Sequence, residues 1–463
     1  MDIIVTKRDI LWSYLAKFFS VGTGVITLPA ILKLLSADEI GINYILLSIN
    51  SMIALFDMGF SSQFSRYLTY IFSGAQSIKK EGVTLDYSDH VNGKLLAITI
   101  RTAKTIYFYL SSLALILMLT IGTYYIYTVT NSFTLVDNIH IIWLLFCGST
   151  YFNLYFLYLN SFLQGRGLVK ETNQAQVLSR IIQLLLLLIL IMEGFGLLGV
   201  VIANFIAPFV FRLIAYKKFY TKETCLLMQD VIVSYDDIKE TFKILFYNAK
   251  KIGIIAAFAS LLGYASTLII AMFLPLPIVG SYGVLAQIVG IIGTIALTFL
   301  TSKMPQLSYL IVTRNECALK KEFGMGMFVF YCIYISGLLI LSFFPYLFSF
   351  FHFSVSLPAY GIVMLYGFTR FVEQNQSAYC QLLIAQNKLL YFKSSIITCV
   401  LEFALLVLLL KMGIGLLGVV LAQAIPLFAY CAWKWPIFVC RSFDIGIIQD
   451  IMVNPLYKLL YNR

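Results

Sequence analysis

The sequence predicts an all-α integral membrane protein: about 12 transmembrane helices in two six-helix halves of the same orientation around a central cavity, with both termini cytoplasmic. Three observations predict it. The 463 residues are 60% hydrophobic and 12% charged, against roughly 45–50% apolar and about 25% charged in soluble domains. The charges cluster between apolar runs of about 18–25 residues, each long enough to cross roughly 30 Å of hydrocarbon as a helix. Finally, nearly all of the 33 Lys and Arg residues fall in alternate loops, which orients the chain with those loops inside.

The elements follow in order. Span 1 (11–35) is preceded or begun by Lys7, Arg8 and Lys17. It is too long, and too poor in a small-residue cleavage pattern, for a removed signal peptide, so a retained signal anchor is expected. Span 2 (40–64) opens at Ser36-Ala37-Asp38-Glu39, where Ser36 and Glu39 have the spacing of a capping box. An acidic pair there would also suit a lipid-dependent glycosyltransferase, but the cap accounts for it more simply. Arg66 ends span 2, and a basic loop through Lys79, Lys80, Lys94, Arg101 and Lys104 leads to span 3 (106–129). Span 4 (139–163), Arg166 and Lys170, span 5 (175–192) with Arg180 two turns in, and span 6 (195–216) complete the first half.

A central basic stretch holds Arg212, Lys217, Lys218, Lys222, Lys239, Lys243, Lys250 and Lys251. The second set of spans is 252–274, 278–300, 323–344, 357–383, 392–410 and 413–435. The predicted organisation is therefore a first bundle at 1–216, a basic cytoplasmic linker at 217–251, a second bundle at 252–435, and a cytoplasmic or interfacial tail at 436–463. Only Lys33 and Lys411 lie in the opposite loops. The net charge of +11 reads as topology plus attraction to anionic lipid headgroups, and nothing supports nucleic-acid binding.

The halves repeat each other. Gly196-Leu197-Leu198-Gly199-Val200-Val201 opens span 6 and Gly415-Leu416-Leu417-Gly418-Val419-Val420 opens span 12, each followed by a proline, Pro208 and Pro426. Six spans per half give both halves the same orientation, the parallel kind of transporter repeat, with a site expected near the midplane between them. The outside loops are too short for a catalytic domain, and no Gly-x-x-x-x-Gly-Lys-Ser/Thr loop is present to bind ATP. None of the eight cysteines falls in an outside loop, so no structural disulfide is expected. No Cys or His spacing suggests a metal or another cofactor, and His90, His140 and His352 are scattered.

A charge near the bilayer centre costs about 2.5–3.5 kcal/mol, so each one needs a reason. Span 10 is the most polar: Arg370, Glu373 or Gln374, Ser377 and Gln381 recur at helical spacing as one stripe. It would face a water-filled cavity, or Arg370 and Glu373 would simply pair and hold helices together. Glu402, in span 11, lies at a comparable depth. In the first half Lys17 and Asp57 reach similar depths on adjacent helices and would pair. Snorkelling to the interface is the plainer reading of Lys17 and Arg180, whereas Asp57 is too short for it.

The stretch from Leu28 to Ala75 carries a further pattern: Leu28-Pro29, Glu39-Ile40-Gly41, Asp57-Met58-Gly59-Phe60, Ser65-Arg66, Tyr70 and Ser73-Gly74-Ala75. This resembles the Wzx-type O-antigen flippases, polysaccharide exporters of the multidrug/oligosaccharidyl-lipid/polysaccharide (MOP) superfamily. The resemblance implies a multi-pass protein of the bacterial inner membrane. Its function would be to flip an undecaprenyl-diphosphate-linked O-antigen or polysaccharide repeat unit from the cytoplasmic to the periplasmic leaflet by alternating access. It would be a transporter rather than an enzyme, working beside other polysaccharide-assembly membrane proteins. Expected along the substrate pathway are Arg370, Glu373, Gln374, Asp57, Arg66, Arg180, Lys17, Lys250 and Lys251, with Asp57, Glu373 and Glu402 as candidates for ion coupling. Two other readings remain open: a drug/cation antiporter of the same superfamily, which calls for a carboxylate-lined lumen, and a membrane polymerase or glycosyltransferase, which calls for a long outside loop.

Overall fold

The computed structural model describes residues 7–455 except 79–87, 89, 230, 304–306, 308, 309, 311–314, 352 and 386–390. Lys79, Lys80, Arg314, Lys388, Lys458, Arg463 and His352 lie outside the described residues, as do the side chains of Lys17 and Lys251. Among the described residues every regular element is helical, and nine helices are long and apolar enough to cross a membrane. That is what an apolar chain must do, because hydrocarbon offers no partner for backbone N–H and C=O groups. The chain divides into two compact units, Met1–Leu268 and Ile269–Arg463.

In the first unit α1 (Lys7–Leu34) is followed by α2 (Ala37–Ile53). The capping box is present: Ser36 N donates to Glu39 Oε2 at 2.8 Å and Glu39 N to Ser36 Oγ at 3.2 Å. Span 2, expected to be continuous, is broken. A 3₁₀ turn at Ala54–Asp57 leads into Met58 and Gly59, both left-handed (φ 46° and 75°), and α3 (Phe60–Phe72) starts afresh. Next come α4 (Gly93–Leu117), a π-turn at Met118–Gly122 and α5 (Thr123–Val129). The basic residues Lys94, Arg101 and Lys104 thus sit on α4 rather than in a loop. Span 4 is interrupted at 156–157 between α6 (Ile139–Tyr155) and α7 (Tyr158–Gly165). The hairpin α8 (Val169–Met192) and α9 (Gly196–Phe219) follows, with α8 also packed on α1. The connector forms α10 (Lys222–Leu227), then α11 (Tyr235–Phe273), which runs without a break from the predicted linker into the predicted seventh span.

The second unit holds α12 (Leu276–Ser302), α13 (Glu316–Phe351), α14 (Tyr360–Ala385), α15 (Phe392–Lys411), α16 (Gly415–Pro426), a π-turn at Leu427–Cys431 and α17 (Ala432–Ser442). The tail coils at Ile447–Val453 and docks on α13, burying Ile451. Gly324 permits that approach, since a Cβ there would lie 2.1 Å from the Asp450 carbonyl. Lys320 Nζ, 2.6 Å from Asp444, secures the same junction and holds the Asp444 carboxyl below its ordinary range.

The sequence repeat is a structural repeat. Gly194 just before α9 and Gly196 at its first position, like Gly413 just before α16 and Gly415 at its first position, all take positive φ. Gly199 and Gly418 each let their helix close on its hairpin partner: an added Cβ would meet Leu190 Cβ at 2.9 Å or Leu409 Cβ at 3.1 Å. The repeats diverge at their prolines. Helix α9 continues through Pro208, whereas Pro426 leads into the π-turn.

Candidate functional site

Each unit builds a polar cluster around an arginine. In the second unit Arg370 lies on α14. Its Nη1 donates to Glu373 Oε2, Nε to the Tyr366 hydroxyl at 3.1 Å and Nη2 to Gln423 Oε1 at 3.3 Å. Gln423 on α16 in turn donates to the Tyr282 hydroxyl of α12 at 2.9 Å. The arginine is thus paired and hydrogen-bonded on each nitrogen, the condition under which a desolvated charge is tolerated. The pair opens on its acidic side: the Arg370 side chain is 20% exposed and that of Glu373 44%. Gln374 rests beside Gly293 of α12, where an added Cβ would be 3.5 Å from its Cδ. The half-buried Glu402 on α15 lies within electrostatic reach of Arg370 and Glu373, and makes no ion pair among the described residues.

In the first unit the cluster centres on a residue that sequence reasoning assigned to orientation. Arg212 lies within α9, 6% exposed, stacked on Phe209 (4.3 Å from guanidinium carbon to ring centroid) and Phe156 (5.2 Å). Its Nη2 donates to Asn153 Oδ1, but its Nη1 is buried without a hydrogen-bond partner. The signal was available: Arg212 has Phe209-Val210-Phe211 before it and Leu213-Ile214-Ala215 after it. A tally of cytoplasmic bases hid it.

Arg180 stands on α8, the hairpin partner of α9. Because α8 begins at Val169, Arg180 stands near the middle of that helix, not two turns from its end. It does not run alone to the interface: Nη1 donates to Gln183 Oε1 at 2.8 Å, and Gln183 donates to Asn204 Oδ1 on α9. Arg180 and Arg212 have no carboxylate within ion-pair distance among the described residues.

Asp57 does separate work. At the break in span 2 its carboxylate accepts from Ser61 N at 3.1 Å and from Ser61 Oγ at 2.9 Å, so it caps α3, and the Tyr107 hydroxyl donates to it as well. The Asp-Met-Gly-Phe string is a helix break with its own cap, and the partner proposed for Asp57, Lys17, has its side chain outside the described residues. Arg66 is exposed and donates to Gln63 Oε1 one turn away. Lys250 is exposed, 5.8 Å from the Tyr247 ring centroid. Within the second unit the structure brings together Arg370, Glu373 and Glu402, with Gln374 alongside, whereas Asp57, Arg66 and Lys250 belong to the first unit. No group of three or more His, Cys, Asp or Glu among the described residues is placed to hold a metal.

No protein-family model matches the chain, and no curated protein matches its sequence. Solved structures do. The lipid II flippase MurJ in an inward closed conformation aligns with a TM-score of 0.62 at 14% identity, over 97% of this chain and 91% of that one. The chain has the fold of MOP-superfamily transporters. An inward-facing multidrug resistance MATE transporter of that superfamily gives a TM-score of 0.54 at 12% identity, over 95% and 99% of the two chains. The Vibrio cholerae MATE transporter VcmN gives 0.55 at 13%, over 95% and 97%.

Proposed function

We propose that this chain is a flippase for an undecaprenyl-diphosphate-linked O-antigen or polysaccharide repeat unit. It moves its cargo from the cytoplasmic to the periplasmic leaflet of a bacterial inner membrane by alternating access between two six-span halves. Both termini are cytoplasmic in this reading. The observation that carries it is the pair of unneutralised arginines, Arg180 and Arg212, within two helices of the first unit. Arg212 is kept in apolar surroundings with a spare N–H and Arg180 is exposed on the neighbouring helix; such cations suit an anionic group such as a diphosphate, and arginine grips phosphate oxygens two at a time. Moving negative charge outward across a membrane that is negative inside gains about 2.3 kcal/mol per charge per 100 mV. The likeness to a lipid II flippase and the Asp57–Ala75 string support the same cargo class.

The drug/cation antiporter reading draws on Glu402, the carboxylate left without an ion pair beside Arg370. It fits less well, because Asp57 and Glu373 are already engaged by Ser61 and Arg370. A polymerase calls for a long outside loop on which to build its site, and the outside loops read from the sequence are short. The decisive experiment deletes the gene in its host and locates the lipid-linked repeat units. Accumulation on the cytoplasmic face is expected; unpolymerised units on the outer face would replace the flippase by a polymerase.

A further inference from the structure

The first unit also has a groove of about 520 Å³ that shares no lining residue with the arginine clusters. One wall is the middle of α4, where Arg101, Lys104, Thr105, Phe108 and Tyr109 fall at steps of three or four on one face. Tyr155 and Tyr220 form another, and the connector, through Met228 and Val231, closes the side. Arg101 is exposed, and Lys104 Nζ stands 5.1 Å from the Tyr220 ring centroid. Neither cation has a carboxylate within ion-pair distance among the described residues. The Tyr220 hydroxyl is buried and has no hydrogen-bond partner. Two uncompensated cations and a donor without an acceptor describe a place for phosphate oxygens.

The same face of α4 shows what the phosphate would be attached to. Past the bases it continues through the exposed side chains of Tyr109, Leu113 and Ile116, spaced as one stripe. From Lys104 to Ile116 a helix rises about 18 Å, roughly the depth of one leaflet's hydrocarbon. A polar, basic pocket opening onto an apolar outward stripe has the two-part chemistry of a phospholipid, and basic pockets between helices on the cytoplasmic side suit anionic headgroups.

We propose that this groove binds the phosphate of an anionic phospholipid in the leaflet on the side of the basic loops, bracing the connector against α4. The inference needs no particular cargo for the protein. The test titrates the purified full chain in detergent with phosphatidylglycerol or phosphatidylcholine and counts bound lipids by native mass spectrometry. The wild type should bind the first phosphatidylglycerol about thirtyfold more tightly than R101Q/K104Q, at about fivefold per base. Tyr220→Phe, which removes only the hydroxyl, should weaken it about two- to tenfold, and phosphatidylcholine binding should not respond to any of the three changes. Unchanged phosphatidylglycerol affinity in a folded R101Q/K104Q, or equal wild-type affinity for both lipids, would overturn the proposal. Displacement of phosphatidylglycerol by millimolar inorganic phosphate would make the groove a free-phosphate site, and stronger binding of undecaprenyl diphosphate would make it a cargo site; either outcome rejects the phospholipid assignment.

Discussion

Arg212 and Arg370 are both arginines set inside long helices, and the two units keep them by opposite means. Arg370 is neutralised by Glu373 and hydrogen-bonded on all its nitrogens. Arg212 has two phenylalanine faces, one asparagine oxygen and a buried nitrogen with nothing to bond. Cation–π contact offsets part of its desolvation, about 2 kcal/mol or more per desolvated ring, but leaves its charge available. The lesson is one of net charge: the Arg370–Glu373 pair is neutral and complete in itself, with the Glu402 carboxylate beside it, while the first cluster is positive and incomplete. An anionic cargo has more to gain at the first.

The comparison breaks most readily at Arg212. Arg212→Met keeps the stem between the rings and removes the charge, and apolar replacement of a buried ion is often neutral or stabilising. We expect export of surface polysaccharide to fall more than about thirtyfold, from the loss of a desolvated charge contact, with unfolding free energy changed by less than about 1 kcal/mol. Polysaccharide assayed on cells expressing normal protein levels checks the first value, and thermal unfolding of purified protein the second. A large stability loss with export intact would make Arg212 structural.

Arg370 should behave in the reverse way. Arg370→Ala strands Glu373 and should cost about 1–3 kcal/mol, less than the 3–5 of a fully buried pair because Glu373 is nearly half exposed. The double change R370M/E373M should recover most of that loss in the same unfolding assay. If it does not, the pair does more than satisfy itself.

The repeated glycines sharpen the comparison between halves. Gly196 and Gly415 both hold positive φ, but only at Gly196 would a Cβ strike a partner, Glu39 Oε1 at 2.4 Å. That carboxylate also accepts from Leu197 N at 2.8 Å, so it caps the start of α9 as well as α2. Gly415→Ala should cost about 1–2 kcal/mol for the left-handed backbone alone, and Gly196→Ala about 1 kcal/mol more for the displaced cap. Equal losses on thermal unfolding would remove Glu39 from the packing of α9. The smallest effect belongs to Asp57→Asn, which keeps an acceptor for the start of α3 and should cost a few tenths of a kcal/mol, against about 1 for Asp57→Ala.

Composition and repeats made much of the fold legible, because hydrocarbon leaves an apolar chain few options and a glycine at positive φ leaves a mark in the sequence. What escaped were the breaks and the partners. Span 2 reads as one apolar run, and only Asp57 beside Gly59 hints that the backbone turns left-handed there. Arg370 stood out because its span is otherwise polar. Arg212 did not, because a count of bases treats an arginine four residues from a span's end as an orientation signal, whatever packs against it. One of its two rings and its asparagine, Phe156 and Asn153, come from some sixty positions away in the chain, and no local pattern pairs them.

The central claim is that unneutralised arginine in the first unit recruits an anionic lipid-linked cargo. Its most direct measurement is the initial rate at which purified protein in liposomes translocates a polyprenyl-diphosphate oligosaccharide, comparing wild type with Arg212→Met. A rate lowered more than about thirtyfold with unchanged thermal stability is predicted; a wild-type rate from Arg212→Met would contradict the account.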